Sequence, residues 1–160
     1  MGSAVATIVF WRLEAFEAEI LGALRERAPG ESALAAFRRF VLTPRGLIDE
    51  SDPAARELLL GITRMITSSP ALVAREQQVF LAFTDSLARL LAEETGAGPD
   101  DVEPWVAANA MMGVHRALVR LSRERVLAGA TTNELQEELT AAGERALRTL
   151  EGGFGAYAIR

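Results

Sequence analysis

The chain holds one histidine, His115, and no cysteine, so any site chemistry must come from one imidazole, hydroxyls, carboxylates and arginines. A histidine ligand in a helical di-iron bundle sits three residues after a glutamate. The residue three before His115 is Met112, which removes that reading. His115 reads first as a structural histidine, with contact to a bound ligand as the alternative. Ser68 and Ser69 have no histidine near them in sequence and are better placed to cap a helix than to attack a carbonyl. Glu93-Glu94 and Asp100-Asp101 fall at a helix end and in a loop, where solvated charge is ordinary. Gly152-Gly153-Phe154-Gly155 follows a helix rather than a strand, so it lacks the context of a nucleotide-binding loop. No nucleophile, base and oxyanion donor can be assembled, so the chain is not read as an enzyme. Without thiolates there is no disulfide or zinc framework, and no metal or cofactor is expected.

Two polar points remain on one mixed helix face, Asn109 and Arg116. They either pair with neighbouring helices or present polar groups to a ligand between apolar walls. Phe37, Phe40, Met65, Phe80, Phe83 and Met112 recur at helical spacing and read as plain core or as the lining of a cavity.

These residues need elements to position them, and the organising one runs from Val102 to Gly129. Pro104 suits a first helical turn and Gly129 a stop. At about 100° per residue, Val106, Ala110, Gly113, Ala117 and Leu121 share a face of mostly small side chains. Ala107, Met111, Val114 and Leu118 form a larger apolar face beside it, and Trp105, Asn109, Met112 and Arg116 a mixed third. A helix apolar on several sides must be covered on several sides. The small face permits close approach of another helix, including one from a second copy of the chain.

Around it the sequence predicts five more helices. The first spans about 4–28, with Val9, Leu13, Phe16, Ile20 and Leu24 as its stripe, Phe10 and Trp11 beside it, and Pro29-Gly30 as its end. The second runs from Ser32, a plausible cap, to Leu42, with Leu34, Phe37, Phe40 and Val41 inward. Residues 47–51 read as a connection. The third starts at Asp52-Pro53 and stops at Thr67, with Ala55, Leu58, Leu59, Ile62, Met65 and Ile66 as its stripe. The fourth, Pro70 to Thr95, buries Val73, Phe80, Phe83, Leu87, Leu90 and Leu91 and ends at Gly96. After Gly129, Thr131 and Glu134 form a capping box, and the last helix runs to Glu151. Its face Leu135, Leu139, Ala142, Ala146 and Leu150 is again part small, and Gly152-Gly153 should end it. The expectation is one all-α domain over 1–160, helical over about 5–151, with a tail from 152.

Length and composition agree. The 160 residues are 49% hydrophobic and 24% charged, ordinary values for a globular domain. The net charge of −5 argues against an unaided grip on nucleic acid, which needs a basic patch. No apolar run is long enough to span a bilayer, and Thr7–Phe10 is too short for a signal-peptide core, so the expected compartment is the cytoplasm. All 17 basic residues are arginine, which with the many alanines resembles the coding bias of a GC-rich bacterium.

The order of these pieces resembles the C-terminal ligand-binding and dimerisation domain of TetR-family transcriptional regulators. The turn Ile62-Thr63-Arg64-Met65-Ile66-Thr67-Ser68-Ser69-Pro70-Ala71-Leu72 is similar to that of members grouped with mycofactocin or acyl-CoA-responsive regulators, as are the Ala- and Gly-rich helix and the last helix. The resemblance covers roughly residues 8–151. It implies a six-helix bundle whose last two helices pair with those of a second copy as a four-helix interface. Val106, Ala110, Gly113, Ala117, Leu121, Leu135, Leu139, Ala142 and Ala146 would lie there. It also implies a mainly apolar ligand, acyl or aromatic, among Phe37, Met65, Phe80, Phe83, Asn109, Met112 and Arg116. Such regulators begin with a helix-turn-helix that enters the major groove. The first helix here matches the connector that follows it, so this chain is expected to sense and dimerise without reading DNA. Two rivals stand beside this expectation: a free-standing interaction protein that titrates a complete regulator, and a small helical enzyme or carrier.

Overall fold

The computed structural model describes the backbone of residues 2–46 and 52–154 and the side chains of 13–46 and 52–153. Val9, Phe10 and Trp11 of the first stripe, the connection 47–51 and the tail 155–160 lie outside the side chains or residues described. Six α-helices follow one another among the described residues: α1 Gly2–Arg25, α2 Ala33–Val41, α3 Pro53–Thr67, α4 Pro70–Thr95, α5 Glu103–Leu127 and α6 Thr132–Phe154.

Their starts are set by local hydrogen bonds that the sequence advertises. Ser32 accepts from the Ala35 amide, Asp52 from Ala54 and Ser69 from Leu72, so each satisfies an amide that the first turn leaves free. Pro53 and Pro70 follow in the first turn, where a missing N–H costs nothing. The capping box closes reciprocally: the Thr131 amide donates to Glu134 Oε2 at 2.7 Å and the Glu134 amide to Thr131 Oγ1 at 3.3 Å. Gly96 and Gly129 stop α4 and α5 with φ of +66° and +86°, a conformation that strains any residue with a Cβ.

Two helix ends differ from expectation. α1 stops at Arg25, not near residue 28, because Arg27 folds back and donates from Nη1 to the Leu24 carbonyl at 2.7 Å. The same guanidinium pairs with Glu94 at 2.6 Å, tying the end of α1 to the end of α4. α6 runs through Gly152 and Gly153 to Phe154. Glycine keeps its amide donor, so it weakens a helix by about 1 kcal/mol without breaking it.

α5 packs against α2, α3, α4 and α6, which bears out its central place. Its buried residues are Pro104, Ala107, Ala108, Met111, Met112, Val114, His115, Ser122 and Val126. α1, α2 and α4 complete the core with Ile20, Leu24, Leu34, Phe37, Phe40, Phe80, Phe83, Leu87 and Leu91. α3 is rotated from the expected stripe: Leu58 is exposed and Thr63 buried. Val73 on α4 is likewise exposed, while Glu76 is buried and receives Arg123 Nη1 at 2.8 Å. α6 lies close on α2 and α5. A Cβ added at Gly143 would press into Leu42 Cδ2 and meet Leu118 Cδ1 at 3.3 Å. Arg38 on α2 also pairs with Glu144 and Glu151 on α6. No helix of the described residues is long and apolar enough to cross a membrane.

Candidate ligand site

Four helices converge on a cluster of rings. Phe16 comes from α1, Phe37 and Phe40 from α2, Phe80 and Phe83 from α4, and Met112 and His115 from α5. Phe16 sits between the others. Its ring meets Phe40 edge-on at 5.3 Å between centroids and Phe83 at 6.2 Å, and it stacks on the His115 imidazole at 4.9 Å with 20° between planes. Phe80 meets the imidazole at 5.6 Å and 87°. These are the offset and edge arrangements that aromatic quadrupoles favour. The cluster is closed because Phe16 fills it.

The periodicity that builds the cluster is local. Ile20 and Leu24 place Phe16 on the inward stripe of α1, and Phe37 and Phe40 are one turn apart on α2. On α5, Ala108, Met111, Met112, His115 and Ser122 share the buried side, which lies between two of the faces expected from spacing.

His115 is the polar member. It is 9% exposed and its imidazole makes no hydrogen bond among the described residues. No fully sealed side-chain nitrogen or oxygen lacks a partner among them, so the ring nitrogens reach a residual opening rather than a dry wall. Burial, and after it the adjacent charge of Arg116, push the imidazole pKa down from 6.5 to about 4. At neutral pH the ring is therefore uncharged, with one N–H donor and one bare nitrogen acceptor.

The sequence-expected ligand residues separate into groups. Phe37, Phe80, Phe83 and Met112 are buried together in the core. Met65 is half-buried on α3, outside that continuous core. Arg116 is half-buried beside His115 and makes no hydrogen bond or ion pair among the described residues. Asn109 stands apart: it is exposed, and its amide donates to the Trp105 carbonyl of its own helix at 2.8 Å. An amide so committed satisfies its helix rather than a ligand. Sequence reasoning missed Phe16 as a lining residue, named Phe40 as core or cavity lining without placing it in the ligand set, and read His115 first as structural. The available signal was the spacing Met112, His115, Val119, Ser122, hidden by two polar residues on an inward face.

On its outer side Phe40 also lines an open groove of about 460 Å³ between α1 and α2, with Gly22 and Ala23 as floor and Arg39 and Arg45 among the walls. The Arg45 guanidinium lies 3.7 Å over the Phe40 ring and donates to the Phe40 carbonyl.

The expected dimer residues also divide. Val106 and Ala117 are exposed, and Ala110, Gly113, Leu121, Leu139 and Ala142 partly so. Leu135 is buried beside α3 within its own protomer, and Ala146 packs on its own core. Leu135 is already covered and has little left for a partner, whereas Ala146 is covered only in part.

Residues 31–155 match the family model of the MftR C-terminal domain, while no curated protein and no solved structure matches the chain. The match takes in α2 to α6, including every residue of the ring cluster except Phe16. The chain belongs to the MftR C-terminal domain family, one of the C-terminal domain families of TetR-type regulators.

Proposed function

We propose that the chain is the ligand-sensing and dimerisation domain of a cytoplasmic transcriptional regulator. A mainly apolar small molecule, acyl or aromatic, enters the ring cluster and displaces Phe16. The carrying observation is that Phe16 belongs to α1 yet stacks at the centre of residues from α4 and α5. A ligand that takes its place must shift α1, the helix that leads towards a DNA-binding domain. Ligand affinity for the displaced arrangement over the closed one sets the size of the switch. The groove beside Phe40 supplies an entry route. Arg116 orients an anionic or carbonyl end, and Asn109 takes no part.

The test is a thermal-shift series with fatty acyl and aromatic carboxylic acids and their neutral analogues. A ligand at about 100 times its Kd should stabilise the chain by about 2.7 kcal/mol. Arg116→Met should weaken the acids and spare the neutral analogues. A series in which no member shifts Tm would sink the sensing role.

Dimerisation is proposed through α5 and α6. Val102, Trp105 and Val106 expose large apolar surface, and the small residues Ala110, Gly113 and Ala117 continue it. A Cβ at Gly113 would meet nothing within 4 Å, so the protomer leaves that surface open to a second backbone. One self-complementary patch is the commonest route to a two-fold pair. Light scattering at tens of micromolar should give a dimer, and Gly113→Arg a monomer. A monomeric unmodified chain would remove the proposal.

A further inference from the structure

We infer that His115 is the polar anchor of the site and selects ligands that carry a neutral hydroxyl or similar hydrogen-bonding group on a ring-sized apolar body. The inference rests on the sensing role proposed above and narrows its ligand class. Three observations carry it.

The first is an unmet hydrogen-bonding capacity. The imidazole is nine-tenths buried, has no hydrogen bond among the described residues, and is lined by the rings of Phe16 and Phe80. No fully sealed nitrogen lacks a partner among the described residues, so the ring nitrogens meet the residual opening, where a ligand's polar group can replace water.

The second is what occupies the space beside it. Phe16 is only partly buried and packs at the edge of the core, whereas Phe80 and Phe83 are sealed within it. Of the rings touching His115, Phe16 is the one that can leave without dismantling α4. Its departure vacates a six-membered ring's volume against the imidazole. That space lies over the imidazole face, so a hydroxyl meets a ring nitrogen when the ligand's ring is offset past the imidazole edge, where the N–H and the lone pair point.

The third is the sign of the surroundings. Burial and then the neighbouring Arg116 disfavour the imidazolium, so the anchor is a neutral donor–acceptor pair. A hydroxyl matches it as donor to the bare nitrogen. A purely hydrocarbon ligand leaves it unmet, and a site built to hydrogen-bond a hydroxyl discriminates strongly against an analogue lacking it.

The experiment uses Phe16→Ala in the full chain, with phenol and toluene as probes at pH 7, where phenol is neutral. Titration calorimetry should show phenol binding about tenfold or more tightly than toluene, as one added hydrogen bond allows. The single histidine gives an unambiguous imidazole ¹⁵N signal, which phenol should move and toluene should not. In Phe16→Ala with His115→Leu the preference should reverse. Should Phe16→Ala fail to fold, Phe16→Leu takes its place with the same readouts. Toluene binding as well as phenol, or phenol binding with an unmoved ¹⁵N signal, overturns the anchor and leaves the ligand space standing. Neither probe binding overturns the ligand space and the anchor together.

Discussion

The two sides of α5 are made from similar residues and meet opposite fates. The inner side, Ala108, Met111, Met112 and His115, is enclosed by rings and leucines from α1, α2 and α4. The outer side leaves Trp105, Val106 and Ala117 exposed and Ala110 and Gly113 partly so among the described residues. Both contain an aromatic or heteroaromatic ring, alanines and one polar side chain. The polar group differs in the telling way: Asn109 outside turns back on its own helix, whereas His115 inside has no hydrogen-bond partner among the described residues and meets only a residual opening.

The largest expected contrast is in stability. Met112→Ala should cost about 3 kcal/mol, since it deletes a fully buried side chain from a packed core. Trp105→Ala should cost less, about 1–2 kcal/mol, despite removing the bigger side chain, because Trp105 is about half exposed. Urea unfolding at protein concentrations below the dimer dissociation constant measures both. Equal costs would mean that the outer side is covered within the protomer after all.

A comparable effect is expected from pH. The unfolded chain holds His115 near its ordinary pKa of 6.5, while the folded chain holds it at about 4. Between those values the unfolded state binds more protons, so stability rises with pH across the window. It is full above about pH 6.5 and is lost as pH falls through 6.5 towards 4, by about 3 kcal/mol at most. His115→Phe should remove that part of the acid sensitivity. Urea midpoints at pH 7 and pH 4.5 for both proteins decide it. An identical loss in the variant would assign the effect to the carboxylates.

Next comes a comparison between two glycines. Gly143→Leu should destabilise by about 2 kcal/mol, because even its Cβ would press on Leu42 and Leu118. For a chain of this size that is a fall in Tm of about 4–8 °C. An unchanged Tm would show that Leu42 swings aside without penalty.

The same contrast explains what could be read in advance. Caps at Ser32, Asp52, Ser69 and Thr131 were legible because each is settled within four residues of chain. The choice of six helices and the central place of α5 followed from periodicity. What failed depended on contacts between helices. The stripe of α3 includes Thr63 and leaves out Leu58, because α3 turns the Thr63 side, rather than the side of greatest hydrophobicity, towards α4 and α5. Phe16 and His115 are separated by the length of three helices, and no spacing in sequence announces that they stack. The close approach at Gly143, which lies against Leu42 and Leu118, went unnoticed because its partners come from other helices.

Gly113→Ala gives the smallest effect and the finest distinction. Within the protomer the added methyl meets nothing, and alanine is a better helix former than glycine by about 1 kcal/mol, so the monomer should gain up to that amount. If Gly113 lies where two α5 helices cross, the same methyl stands between two backbones and weakens the pair. Two measurements are therefore needed on one variant: urea unfolding of the dilute monomer, and the dimer dissociation constant from sedimentation. The expected result is a stabler monomer with a dissociation constant raised several-fold. A stabler monomer with an unchanged constant would move the crossing along α5, towards Val106 or Ala117, where the outer side is equally bare.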